Sequence, residues 1–301
     1  MNNILQNKFI LAEGSINERI RRSPIKLHPT LVNAPLIYGE HKKYMADIYR
    51  SYINIAEKAG LPIFLSTPTW RANKERVLAS ECKSEINVDA SRFIHEIRDE
   101  YTDIQDQIKI GGLFGCKNDC YTPEVALSSK QAEDFHSWQI NELAKGEVDY
   151  LICETIPALS EAVGIAHASA KTNVPYIISF VIARNGKILD GTSLAEAIQH
   201  IDSTVSVPPI GYAINCAHPS FFLPENQDKT IFKRLLAFNA NASSLDHCDL
   251  ENADCLHVDN IQEWGDQMLE LNTQWGIKIL GGCCGAGVEH IEYLAQNRIK
   301  R

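Results

Sequence analysis

Long apolar runs are missing from this sequence. The longest, Tyr176 to Ala183, is broken by Ser179 and falls far short of the roughly 20 residues a helix needs to cross a bilayer. Met1 to Phe9 holds no basic segment followed by an apolar one, so it does not read as a signal peptide. Basic stripes are missing too. The net charge is −9, and no Lys/Arg-rich face offers the electrostatic footprint that nucleic acid requires; the terminal Lys300-Arg301 pair reads as a solvated helix end. There is no Walker or dinucleotide-type glycine loop, no Gly-x-Ser-x-Gly nucleophile elbow, and no tandem repeat. These absences point away from membranes, nucleic acids, nucleotide-phosphate chemistry and serine hydrolysis. They leave a soluble, cytoplasmic protein whose partners are small molecules.

What recurs is a short apolar run, a polar turn and a helical pattern. The runs are Phe9–Ala12, Ile63–Ser66, Ile108–Leu113, Tyr150–Cys153, Tyr176–Val181, Ile210–Ile214, Leu235–Phe238 and Ile277–Leu280. They are apolar on both faces, as buried parallel strands are. Between Glu40 and Ala59, the residues Tyr44, Ile48, Tyr52, Ile55 and Ala59 fall at helical spacing, with Gly60 as a stop. Further helical patterns cover Ser128–Lys145, Ser160–Lys171, Leu194–Ile201, Asn260–Gln274 and Val288–Arg301. Eight strands alternating with helices predict one α/β domain over residues 1–301, a single (β/α)8 TIM-type barrel, with an open doubly wound sheet as the alternative.

The barrel reading gathers the chemistry at one end. Active sites of this fold lie at the C-terminal ends of the strands. Glu13-Gly14 follows the first run, Thr67 the second, Glu154 the fourth, Asn215-Cys216 the sixth and Cys283-Cys284 the eighth. Nine cysteines, an odd number, argue against a fully paired disulfide framework in a reducing compartment. Cys283 and Cys284 sit in a glycine frame, Gly281-Gly282-Cys283-Cys284-Gly285. Neighbours on a continuing strand point to opposite faces, so both can reach one metal only where the backbone turns. Together with Cys216 they make three thiols, enough for an open Zn2+ site with one position left free. The competing reading of the Cys283-Cys284 pair is two buried cysteines packed as small apolar groups.

The pairs Cys116/Cys120 and Cys248/Cys255 have no matching second pair at zinc-finger spacing; Cys153 reads as core and Cys82 is uninformative. A carboxylate at the strand end occupied by Glu154 needs a partner, either a substrate ammonium or a neighbouring barrel residue. Trp70 offers a face to a cationic substrate or a packing surface. His218 offers a hydrogen bond near Cys216 or a structural role.

Asn215-Cys216, Glu154-Thr155-Ile156-Pro157 and Gly281-Gly282-Cys283-Cys284, in this order and near these spacings, resemble the homocysteine S-methyltransferases over essentially the whole chain. Thr67-Pro68-Thr69-Trp70-Arg71-Ala72-Asn73 and Asn239-Ala240-Asn241-Ala242-Ser243 resemble one branch of that family. The resemblance implies a (β/α)8 barrel with zinc on Cys216, Cys283 and Cys284. It also implies a homocysteine head group held by Glu13-Gly14 and Glu154, with Thr67, Trp70 and Asn215 as further candidates for substrate contact.

The implied activity is transfer of a methyl group from S-methylmethionine, S-adenosylmethionine or a betaine-like donor to homocysteine, giving methionine. Other small thiols or a selenol are alternative acceptors. Zinc-assisted hydrolysis and a non-catalytic zinc or redox-sensing barrel are alternative functions. The chain departs from the family where Ala12-Glu13-Gly14 stands for the usual Asp-Gly-Gly or Asp-Gly-Ala. It departs again where Asn239-Ala240-Asn241 stands for the usual Pro-Asn. These departures bear on donor and acceptor, not on the cysteines.

Overall fold

The eight apolar runs form eight parallel strands: β1 (Ile10–Ala12), β2 (Ile63–Ser66), β3 (Ile108–Gly115), β4 (Tyr150–Ile156), β5 (Tyr176–Phe180), β6 (Gly211–Asn215), β7 (Leu235–Ala240) and β8 (Ile279–Gly282). The computed structural model describes residue 1, residues 3–246 and residues 257–298. The strands follow one another around a closed barrel in chain order, and β1 pairs with both β2 and β8. The open doubly wound sheet is thereby excluded. Among the described residues no helix is long and apolar enough to cross a membrane.

The helices are α1 (Ile16–Arg21), α2 (Lys42–Ala59), α3 (Lys74–Leu78), α4 (Ile86–Arg98), α5 (Ser129–Lys145), α6 (Leu159–Ser169), α7 (Leu194–Thr204), α8 (Ile261–Thr273) and α9 (Val288–Asn297). The sequence reading missed α1, α3 and α4. Two of them are only a turn or so long, and in α4 the inward side includes the polar Asn87 and Ser91, which blurs its apolar period. Five strands, β3, β4, β6, β7 and β8, run past the C-terminal ends read from the sequence, whereas β1 and β2 end where expected and β5 ends one residue earlier, at Phe180. β3 runs to Gly115 and β4 to Ile156, because Glu154 and Thr155 still belong to the sheet although they are polar. β8 starts two residues later than expected and ends at Gly282. Of the last predicted helix, Asn297 is the final helical residue and 299–301 lie outside the described residues. Cys248 and Cys255 also lie outside them.

Sequence signals explain the helix ends. Ser128 and Ser193 close capping boxes with Gln131 and Glu196, satisfying backbone N–H groups that the first turn leaves open. Gly60 ends α2 at φ 63°, a conformation that carries no penalty for a residue without Cβ.

Two apolar layers result. Ile10, Ala12, Phe64, Tyr150, Ile152, Ile177, Ala213, Ala237 and Ile279 fill the barrel interior, with Ile4 from the N-terminal turn beneath them. A larger layer packs between strands and helices. The interior residues alternate along each strand, so Ile152 and Ala213 predict inward positions for Glu154 and Asn215. Tyr49 of α2 donates to the Ser66 carbonyl across 2.9 Å and ties that helix to the mouth of the barrel.

Where α5 meets α6 the approach is close. A Cβ at Gly164 would lie 2.1 Å from the Ser129 carbonyl and 2.7 Å from the Glu133 amide, both backbone atoms that cannot swing away. Gly164→Ala is therefore expected to cost about 3 kcal/mol, lowering the melting temperature by roughly 6 °C. A melt within 1 °C of wild type, taking ~1 °C as the resolution of a scan, would contradict this packing.

Candidate metal centre and substrate pocket

β6 ends at Asn215, and the chain turns sharply at Cys216, whose φ is 54°. That is a left-handed conformation unusual for a residue with a Cβ. β8 ends at Gly282, where Cys283 N–H donates to the Ala240 carbonyl and the Cys284 carbonyl accepts from Ala242 N–H. Of the glycines framing the cysteines, Gly285 takes positive φ, at 80°. Gly282 instead allows a close approach, since a Cβ there would sit 2.5 Å from Ala286 Cβ. The turn defeats strand alternation and points both thiols at Cys216. The three Sγ atoms lie within 4.8 Å of one another, and those of Cys216 and Cys283 are 2.8 Å apart. Cys216 is buried, Cys283 half-buried and Cys284 open to the cavity.

This cluster fits a metal. Zinc–sulfur bonds of ~2.3 Å in a tetrahedron put sulfurs roughly 3.8 Å apart, within the observed spread. The Cys216–Cys283 pair has to open by about 1 Å to reach that spacing. The charges agree. Hydrogen bonds from Cys216 and Cys283 hold the Cys284 thiol well below the usual thiol range. Cys216 is pushed well above it, by Cys283 and Cys284 before burial, and Cys283 is raised as well.

All candidate residues from the sequence line one cavity of about 900 Å3 at this end of the barrel: Glu13, Gly14, Thr67, Trp70, Glu154 and Asn215, with the three cysteines. Their side chains differ in what they have left to offer. Thr67 is fully buried; its hydroxyl meets Thr69 Oγ1 at 2.7 Å and accepts from Leu113 N–H at 2.9 Å. Asn215 is also fully buried. Its Oδ1 accepts from Thr155 N–H at 2.9 Å and Ser179 Oγ at 2.7 Å, and its Nδ2 lies 3.5 Å from Cys216 Sγ. Trp70 donates to Thr155 Oγ1 at 2.9 Å, and the Arg71 guanidinium lies 4.0 Å from its ring centroid. The cationic partner of that ring is therefore part of the protein. Gly14 allows close contact, because a Cβ there would sit 2.6 Å from the Ala286 carbonyl. His218 turns its Nδ1 to Ser220 and its Nε2 toward Asp259 at 3.5 Å.

The two carboxylates carry the strongest electrostatics. Both oxygens of Glu13 face one donor, Ser66 N–H, at 3.0 and 2.9 Å. Burial raises this carboxyl well above the usual range, and the charge of Glu154 adds to the effect. Glu154 accepts from Asn239 Nδ2 at 3.1 Å. Burial pushes its pKa up to about 7, with Cys284 contributing in the same direction and the Asn239 bond opposing. Two carboxylates facing one enclosed space favour a cation there. Thr155, next to Glu154, has φ 63°, and its amide is bound by Asn215. One asparagine thus braces both the backbone beside the carboxylate and the turn that carries Cys216.

The sequence reading missed Tyr121 and Arg21, and it marked Asn239 only as part of a departure from the family, with no role of its own. Asn239 lies next to last in β7, before Ala240 and beyond the apolar run. Tyr121 lies in the long loop after β3, and burial, followed by the nearby cysteines, pushes its hydroxyl far above the tyrosine range. Arg21 lines the cavity and lowers the Cys284 thiol, yet it belongs to a helix too short to show a period.

The comparisons with known proteins agree with this geometry. The chain is 23% identical over 307 aligned residues to the homocysteine S-methyltransferase YbgG of Bacillus subtilis (strain 168), covering 95% of this chain and 93% of that protein. It matches crystal structures of the homocysteine methyltransferase MmuM from Escherichia coli in the oxidized form (TM-score 0.74, 17% identity) and the metallated form (TM-score 0.72, 18% identity). Each match covers 96% of both chains, and at such identity it is a likeness of fold. The homocysteine S-methyltransferase family model matches residues 10–298. Since that match runs from the first barrel strand past both cysteine-bearing turns to the last helix, the chain belongs to the homocysteine S-methyltransferase family and is a methyltransferase.

Proposed function

We propose that the protein, as one barrel domain over residues 1–301, is a cytoplasmic zinc-dependent enzyme. It transfers a methyl group from a sulfonium or ammonium donor to the thiol of homocysteine, giving methionine. The observation that carries this reading is the convergence of Cys216, Cys283 and Cys284 on one point of a cavity that also holds Glu154 and Glu13. Zinc bound by these cysteines supplies the positive charge that keeps an acceptor thiol deprotonated near neutral pH.

The chain's own residues do the rest. Glu154, held by Asn239, receives the acceptor's ammonium group. Asn215 fixes the turn of Cys216 relative to Glu154, which sets the distance between the thiol and ammonium subsites. The barrel mouth aligns acceptor sulfur, methyl carbon and leaving atom, the main demand of an in-line displacement. A new S–C bond forms as the donor's C–S or C–N bond breaks. That electron pair leaves on the donor as a neutral thioether or amine, and the thiol proton goes to solvent. No protein acid or nucleophile takes part. Arg21 and Arg22 at the cavity edge offer a partner for the carboxylate that S-methylmethionine, S-adenosylmethionine and betaine all carry.

The test is to supply zinc-loaded, reduced protein with homocysteine and each of the three donors, reading methionine by mass spectrometry. Methionine from one donor supports the reading; none from any donor refutes it.

A pH dependence follows. Below about 7 Glu154 is neutral in the free protein and loses its attraction for an ammonium. The kcat/KM for homocysteine is expected to fall about tenfold per pH unit below that point. Stability moves the other way. A carboxyl with a raised folded pKa contributes stability that is present below its unfolded value, 4.5, and lost as pH rises through about 7. Melting of the ligand-free protein across this range checks the sign.

A further inference from the structure

We infer that Asn239 is the positioning residue that makes the pocket selective for acceptors carrying an α-ammonium group. The inference rests on the homocysteine reading and goes beyond it by naming what aims the ammonium subsite.

Asn239 sits near the end of β7, in register with Asn215 on β6 and Gly281 on β8. The two asparagines are neighbours on one rim but are used differently. Asn215 has every polar atom engaged by the protein. Asn239 makes one hydrogen bond, from Nδ2 to Glu154 Oε1 at 3.1 Å. Its Oδ1 is buried without a partner among the described residues, lying where a Cβ on residue 281 would come within 2.8 Å.

A buried acceptor left unmade is costly and rare in folded proteins. Turning the amide over would set its carbonyl against the carboxylate, so the bond to Glu154 is what decides its orientation. The arrangement therefore sacrifices one acceptor to direct an N–H at one oxygen of Glu154. The consequence is local and specific. A donor to the charged form favours that form, and pinning Oε1 leaves Oε2 to meet a ligand. Glu13 cannot substitute, because both of its oxygens are turned to the Ser66 amide. Asn239 acts through Glu154, with no contact to the thiol cluster required.

The experiment compares two acceptors on the zinc-loaded protein with whichever donor gives methionine. One is homocysteine; the other is 4-sulfanylbutanoate, which keeps thiol and carboxylate but lacks the amine. Asn239→Ala is expected to raise KM for homocysteine about tenfold while kcat stays within about threefold. The kcat/KM for 4-sulfanylbutanoate should be unchanged. Asn239→Ser, which restores a shorter donor, should recover part of the discrimination. Asn239→Leu, close in volume and without a donor, replaces the alanine variant if that one melts early.

Equal losses on both acceptors, or a loss confined to kcat, would overturn the assignment and leave Asn239 a packing residue. Absence of methionine from the wild-type protein is a separate outcome, which removes the homocysteine reading itself and this assignment with it.

Discussion

Cys283→Ser is expected to remove bound metal and methyl transfer together. Metal content should fall from about one per chain to below about 0.1, since a three-cysteine site that loses one ligand keeps only two thiolates. The kcat/KM should fall by at least about 1000-fold. A free thiol of pKa ~8.5 is only about 3% ionised at pH 7, which accounts for roughly 30-fold. Loss of a fixed position for the sulfur accounts for the remainder, because proximity alone is worth several powers of ten in well-aligned reactions. Cys82→Ser is the control: Cys82 is half-buried, outside the cluster, and its substitution should leave both readings unchanged. Metal and activity that survive in the Cys283 variant would show that the convergence of the three thiols is incidental to the chemistry.

Glu154→Gln is expected to separate function from stability. The substitution keeps the shape and removes the charge. A charge-assisted hydrogen bond in an enclosed site is worth about 3–4 kcal/mol when one partner is lost, so kcat/KM for homocysteine should drop roughly 100- to 1000-fold, chiefly through KM. The acidic limb near pH 7 should vanish from the pH profile. The ligand-free variant should nevertheless melt above wild type at pH 8, because a buried carboxylate with a raised pKa disfavours the folded state once ionised. Glu13→Gln should have a smaller effect on KM, its oxygens being already committed to Ser66. A Glu154→Gln enzyme with unchanged KM would place the ammonium elsewhere.

Much of the barrel was legible because buried parallel strands are continuous apolar runs, and such runs stand out between amphipathic helices. The residues that end those runs were legible for the same reason. Cys216, Cys283, Cys284 and Glu154 interrupt an apolar pattern at a point where the fold requires one face of the sheet. Strand ends were misplaced where function writes polar residues into the sheet, as at Glu154-Thr155 and Asn239. The short helices α1 and α3 carry no period to read.

The roles of side chains were less visible than their positions. Nothing in the order of residues tells that the Thr67 hydroxyl serves the β2–β3 junction, that Arg71 covers the Trp70 ring, or that the Asn215 amide is wholly engaged by protein. Those depend on neighbours from other strands. Gly281, Gly282 and Gly285 were read as three sources of backbone freedom, but only Gly285 uses positive φ; the others make room.

The central claim is that the three cysteines hold a metal with a place left for the acceptor thiol. X-ray absorption at the zinc edge, before and after adding homocysteine, tests it most directly. The account predicts three sulfur neighbours rising to four at a distance of about 2.3 Å. A sulfur count that stays at three when homocysteine is saturating would contradict it.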